Sequence, residues 1–217
     1  MLPKLIIIVI VLAGTFLLFK GSLSAPNFST TPTTNQQSAP AMTADEVLAL
    51  GGTCFEKGFI DETGDILAAP DGQSQKPASP QKSEFDVVRI VVGAQGNMLV
   101  SVWEFAGNIT EEQLGHLNID LQTFHNRNDR SQVSKAAKDT NWTGSYRPNQ
   151  GDITEFNPQV RFSGNSIQFS IPLEYIATNG VVDSINFEAH FYDKNTNTMF
   201  VDNISVRYQP FMCSAPQ

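Results

Sequence analysis

Apolar residues form one unbroken block at residues 5–19, fenced by Lys4 and Lys20, and afterwards occur only in short runs separated by polar and turn-forming residues. So apolar a segment near the N-terminus is read by export or insertion machinery, which places the rest of the chain outside the cytoplasm. Fifteen helical residues span about 22 Å, against a hydrocarbon core of roughly 30 Å, so length leaves both a cleaved signal and a permanent anchor open. Leu23 and Pro26 around Ala25 depart from a small-x-small cleavage pattern, which favours an uncleaved anchor over residues 1–20. Residues 21–42 are dominated by Ser, Thr, Pro, Asn, Gln and Ala, with only Leu23 and Phe28 as large apolar residues before Met42. That composition builds no core and predicts a solvated stalk, bare or O-glycosylated.

From residue 43 to 217 the apolar runs return and predict one domain. Residues 43–51 read as a short helix with a Thr cap, early acidic residues and a Gly stop. Runs at 84–92 and 97–105, joined through residues 93–96, predict a hairpin. Ile167, Phe169 and Ile171 alternate with Ser166, Gln168 and Ser170, which predicts a strand with one buried and one wet face. Ile185, Phe187, Ala189 and Phe191 repeat the pattern. Phe200, Ile204, Val206 and Tyr208 follow it less cleanly, because Asp202 falls among them. Further strands are expected over 116–124 and 153–162, with polar loops at 68–83 and 125–150. Short strands, polar connections and little helix predict an all-β, antiparallel β-sandwich of immunoglobulin-like or jelly-roll-like type.

Composition adds an address and a staple. The two cysteines, Cys54 and Cys213, bracket the domain, and in an oxidising compartment a pair so placed is expected to be bridged. Such a bridge contributes up to about 5 kcal/mol in the chain-entropy model; two unrelated thiols is the other reading. The net charge of −8 and the export signal argue against nucleic acid as a partner.

The order of Asp61-Glu-Thr-Gly-Asp65, the run at 85–92, the run at 96–103, Leu117-Asn-Ile-Asp-Leu121 and the run at 164–176 resembles the DOMON-like and family 9 carbohydrate-binding-module sandwiches over roughly residues 59–208. The matched positions are Asp61, Asp65, Asp86, Asp120 and Pro172-Leu173. The resemblance implies a sandwich that binds sugar, haem or another small ligand. The chain departs from the pattern after Asp120, where Leu-Gln-Thr-Phe-His leads into a long polar stretch, and at the polar insertion 68–83.

Asp61, Asp65 and Asp86 are the candidate metal ligands, for calcium, since a hard cation takes several carboxylate and carbonyl oxygens; an ordinary acidic turn is the alternative. Residues 125–150 carry Arg127, Arg130, Lys135, Lys138 and Arg147 with Trp142 and Tyr146. Trp142, Tyr146 and Arg147 are therefore the candidate ligand residues, rings to stack on a sugar and a guanidinium to bind its hydroxyls, unless the rings fold back to plug the sandwich. His116, His125 and His190 are scattered, and no nucleophile elbow, zinc-protease motif or phosphate loop is present, so no enzyme is expected. Haem ligation by Met98 with His125 or His190 is the cofactor the resemblance raises; packing of Met98 with Val100 and Val102 on one apolar face is the other reading, which alternation favours. Asn27, Asn108, Asn141 and Asn203 lie in glycosylation sequons. Together these readings predict a membrane-tethered, extracytoplasmic, non-catalytic binding module for carbohydrate, or alternatively an accessory surface protein that contacts other proteins.

Overall fold

The computed structural model describes residues 40–51, 58–70, 73–125, 129–148, 151–175 and 185–206, all within the unit Ala39–Gln217. Helix α1 (Ala44–Leu50) begins with a reciprocal capping box between Thr43 and Glu46 and stops at Gly51, where a residue with φ of 74° is tolerated. Strands follow: β1 (Phe59–Ile60), β2 (Leu67–Pro70), β3 (Lys76–Pro77), β4 (Val87–Gln95), β5 (Met98–Phe105), β6 (Leu117–His125), β7 (Asp129–Lys135), β8 (Thr143–Arg147), β9 (Thr154–Phe156), β10 (Gln159–Ser163), β11 (Ser166–Pro172), β12 (Ile185–Asp193) and β13 (Thr198–Val206). A short helix α2 (Glu111–Leu114) and 3-10 turns at Ser83–Phe85 and Leu173–Tyr175 complete the described elements.

Two antiparallel sheets result, ordered β1-β4-β5-β11-β10 and β3-β2-β13-β12-β6-β7-β8-β9. They face each other as a β-sandwich. Alternation directs Ile90, Trp103, Phe105, Ile167 and Phe169 of the small sheet and Ile119, Leu121, Phe187 and Phe191 of the large sheet into one shared core. Rings cross the interface: Phe59 meets Phe187 at 4.7 Å, Trp103 meets Phe187 edge-on at 5.9 Å, and Phe105 meets Phe191 at 6.1 Å. The buried indole N–H of Trp103 donates to Ser101 Oγ, whose hydroxyl donates in turn to the Val91 carbonyl.

Several expectations are corrected. The β4–β5 turn is the two-residue Gly96-Asn97, with Gly96 at φ 61°. Gly93 lies inside β4 instead of the turn, because a Cβ there would sit 2.4 Å from the Val47 carbonyl oxygen: the glycine lets α1 rest on the strand. Ala44 and Val47 thereby cover Val91, Val100 and Val102 on the outer face of the small sheet. The same cover buries Gln168 and Ser170, expected to be wet; Gln168 Oε1 accepts from the Met42 backbone N–H at 2.6 Å. The expected loop 125–150 contains β7 and β8, and 68–83 contains most of β2 and all of β3. The expected strand 153–162 is two strands, β9 and β10, in different sheets, divided at Asn157-Pro158.

Among the described residues no helix is long and apolar enough to cross a membrane; the 5–19 block lies outside them, as do Asn27, Cys54 and Cys213.

Candidate functional site

Three acidic segments meet at one edge of the sandwich. Asp61 directly follows β1, its N–H extending the pairing with β4 through the Val88 carbonyl. A turn through Thr63 and Gly64 brings the chain back, so that Asp65 approaches Asp61. Asp202 arrives from β13, where it occupies an inward position between Phe200 and Ile204, opposite Ala189. Ligand oxygens of Asp61, Asp65 and Asp202 lie within 4.8 Å of one another. Asp86, at the end of the 3-10 turn, is held against the same turn: its Oδ2 accepts from the Gly64 N–H at 2.8 Å. A register shift between Val87 and Arg89 follows immediately, the local irregularity with which strands re-aim residues near sites.

The electrostatics of this corner are unfavourable as it stands. Asp86 and Asp202 are 1% and 4% exposed, and Asp65 is exposed, so the cluster opens to solvent on the Asp65 side. Burial, reinforced by the charges of Asp65 and Asp61, pushes the Asp202 carboxyl up to about 7 despite hydrogen bonds from Val87 and Asn203. Burial and the charge of Asp65 push Asp61 up to about 6, and burial raises Asp86 as well. Asp61 Oδ2 and Asp86 Oδ1 are buried with no hydrogen-bond partner. Converging carboxylates of this kind are stabilised by protons or by a cation.

Next to the cluster along the chain lies a cleft of about 260 Å³, formed where Phe85, Leu117 and Phe200 come together beneath polar side chains of the 3-10 turn, α2 and the β12–β13 hairpin. The 3-10 segment contributes Lys82 and Glu84 to its lining, the α2 region Gln113 and His116, and the β12–β13 hairpin Asp193, Asn195 and Thr196. Burial works to raise the Asp193 carboxyl, but hydrogen bonds from Asn195 and Thr196 and the charge of Lys82 outweigh it and hold it below the usual carboxylate range. The lining therefore combines an ionised acceptor near the Lys82 ammonium with amide groups and apolar side chains. Two floor rings, Phe85 and Phe200, sit one and two residues from Asp86 and Asp202, with centroids 5.6 Å apart.

The other predicted residues are placed as follows. Trp142 is half-buried, its ring 6.2 Å from Phe162 and beneath the Lys135 ammonium at 6.0 Å. Tyr146 is 8% exposed, points inward and donates to Asp129 Oδ2 at 3.5 Å. Arg147, its neighbour on β8, is exposed on the opposite face, so the structure does not gather the three into one surface. Asp61 and Asp65 do come together, Asp86 stands behind their turn, and Asp202 joins them. Asp120 is separate: with Gln122 it faces outward from the large sheet. Gln122 donates to Asp120 Oδ2 at 2.7 Å, Arg130 donates to Gln122 at 3.1 Å, and Asp120 Oδ1 is buried without a partner. On neighbouring β12, Glu188 Oε2 pairs with His190 at 2.9 Å, while its Oε1 accepts from Asn186 and Asn203. Asn108, Asn141 and Asn203 are all exposed.

Compared with protein-family models, with curated proteins and with solved structures, the chain has no match.

Proposed function

We propose that this chain is a membrane-tethered, extracytoplasmic, non-catalytic binding module, and that its ligand is carbohydrate received in the cleft between Lys82, His116 and Asn195. One observation carries the reading: an open cleft with an aromatic floor and a rim of amide, hydroxyl, carboxylate and cationic groups, which is the chemistry that a ring with one apolar face and several hydroxyls requires. Its volume of about 260 Å³ lies below the range of about 300–1,000 Å³ of drug-sized pockets and suits one sugar unit, such as a chain end. Tethering rests on the 5–19 block, and the resemblance to DOMON-like and family 9 carbohydrate-binding-module sandwiches rests on the residues quoted above.

The test is binding of the full chain to a glycan array, repeated with Asn195→Ala, at an exposed position, and with Gln113→Ala, which also removes the α2 capping box and is therefore accompanied by a thermal melt. Binding that falls at least about tenfold in each variant, the equivalent of one lost hydrogen bond of about 1.4 kcal/mol, supports the cleft. Binding to no glycan at all would favour the accessory, protein-contacting role instead.

A further inference from the structure

We propose that Asp61, Asp65 and Asp202, backed by Asp86, form a calcium site that joins the two sheets at the corner beside the cleft. The inference is independent of what the cleft binds.

Geometry is the first support. Oxygens around a calcium ion stand at about 2.3–2.6 Å, so two ligands on opposite sides are about 4.8 Å apart. Asp61, Asp65 and Asp202 each offer an oxygen within 4.8 Å of the other two, close enough for one calcium ion to touch all three. Magnesium, with oxygens at about 2.1 Å in a strict octahedron, prefers to keep its waters.

The second support is independent of the cluster's composition. Asp86 is 99% buried, and one of its oxygens has no partner. The other oxygen accepts from the Gly64 N–H, in the turn between Asp61 and Asp65, so the Asp86 carboxyl lies against the cluster, close enough to feel the charges of Asp61 and Asp65. Asp61 Oδ2 is orphaned in the same way. Native proteins rarely leave such atoms unsatisfied, and two together beside converging carboxylates mark a place for a positive charge. Asp202 is already oriented, with Oδ2 accepting from Val87 N–H and Oδ1 from Asn203 N–H, both keeping further lone pairs. The solvent-open side at Asp65 supplies an entry path and room for waters to complete the shell.

Calcium here would bind β1 and the following turn, the 3-10 segment and β13, segments from both sheets, into one unit. It would also fix Phe85 and Phe200, the cleft's floor.

The experiment is calorimetric titration of the EDTA-treated full chain with CaCl₂ and, separately, MgCl₂, together with thermal melts. Expected are one calcium per chain, a melting temperature that rises with calcium, and magnesium at least about tenfold weaker. Asp65→Asn, at an exposed position that cannot compromise the core, is expected to weaken calcium at least about tenfold, while Asp139→Asn, exposed and remote in sequence, leaves it unchanged. Absence of calcium heat and of any melting shift, or wild-type affinity in Asp65→Asn, would overturn the proposal. Either result is separable from glycan binding, which is measured on the array without added metal as well as with it.

Discussion

Asp202 Oδ2 accepts the Val87 backbone N–H at 2.6 Å, joining an inner strand of the large sheet to the first residue of β4 in the small sheet, with both residues buried. Few polar contacts could be placed worse by ordinary patterning rules, since Asp202 occupies a core position. Its carboxylate fills a need that no apolar residue could: Val87 N–H is buried at the sandwich edge.

Asp202→Ala should therefore destabilise the domain by about 1–3 kcal/mol, the cost of a buried donor left unsatisfied. Asp202→Asn removes a buried charge and keeps an acceptor for the Val87 N–H while giving up the one for Asn203 N–H, so in EDTA it should lose less than Asp202→Ala. Urea denaturation of both variants checks this; equal losses would mean that the N–H contact is unimportant.

Gly93 fixes how closely α1 approaches the sheet, since a Cβ at this position would meet the Val47 carbonyl oxygen at 2.4 Å. Gly93→Ala should lift the helix and cost about 1–3 kcal/mol, the usual range for overpacking. Hydrogen exchange would show faster exchange across 44–50 and little change in β12. Unchanged protection of the helix would rule out this packing role.

Asp120 should make the domain less stable at neutral pH. Burial raises its carboxyl above the ordinary value, only partly offset by Gln122 on its own strand, His190 from β12, and Arg130 and Gln132 from β7; Glu188, paired with His190, faces the same side. The folded state then holds the proton more tightly than the unfolded chain, so stability falls as pH rises from about 3.9 through the raised folded value. Asp120→Asn should melt with the wild type at acid pH and above it at pH 7. A variant less stable than wild type at pH 7 would reverse the sign.

Trp142 and Phe162 close one edge of the core, alongside Phe156 stacked on Tyr175 at 5.0 Å. Removing a half-buried indole should cost about 2 kcal/mol, some half of a full core Trp→Ala loss. Trp142→Ala should nonetheless keep its glycan affinity, read on the same array; a lost affinity at unchanged stability would return the ligand to this edge.

How far the fold could be read from residues varies by segment, for physical reasons. β11 and β12 announce themselves because Ile167, Phe169 and Ile171, and Phe187, Ala189 and Phe191, supply a continuous inward stripe. Strand β7 is silent: its inward positions are Asp129, Ser131, Val133 and Lys135, so the period of two carries almost no apolar signal. Gly93 reads as a turn residue although its role is a close backbone approach. At the acidic corner, Asp61-Glu-Thr-Gly-Asp65 and Asp86 were legible from residue type, whereas Asp202 looked like a flaw in the stripe of β13. That interruption was the signal, since a charge on a core face needs a partner that only the folded chain brings near. The cleft was not legible, because α2, a 3-10 turn and a hairpin far apart in sequence build it.

Hydrogen exchange of the full chain, with and without the tightest-binding oligosaccharide from the array, locates the bound ligand on the sandwich. New protection is expected at 82–85, 113–117 and 193–196, the three segments around the cleft. Protection confined to 142–147, or none on any segment, would contradict this placement.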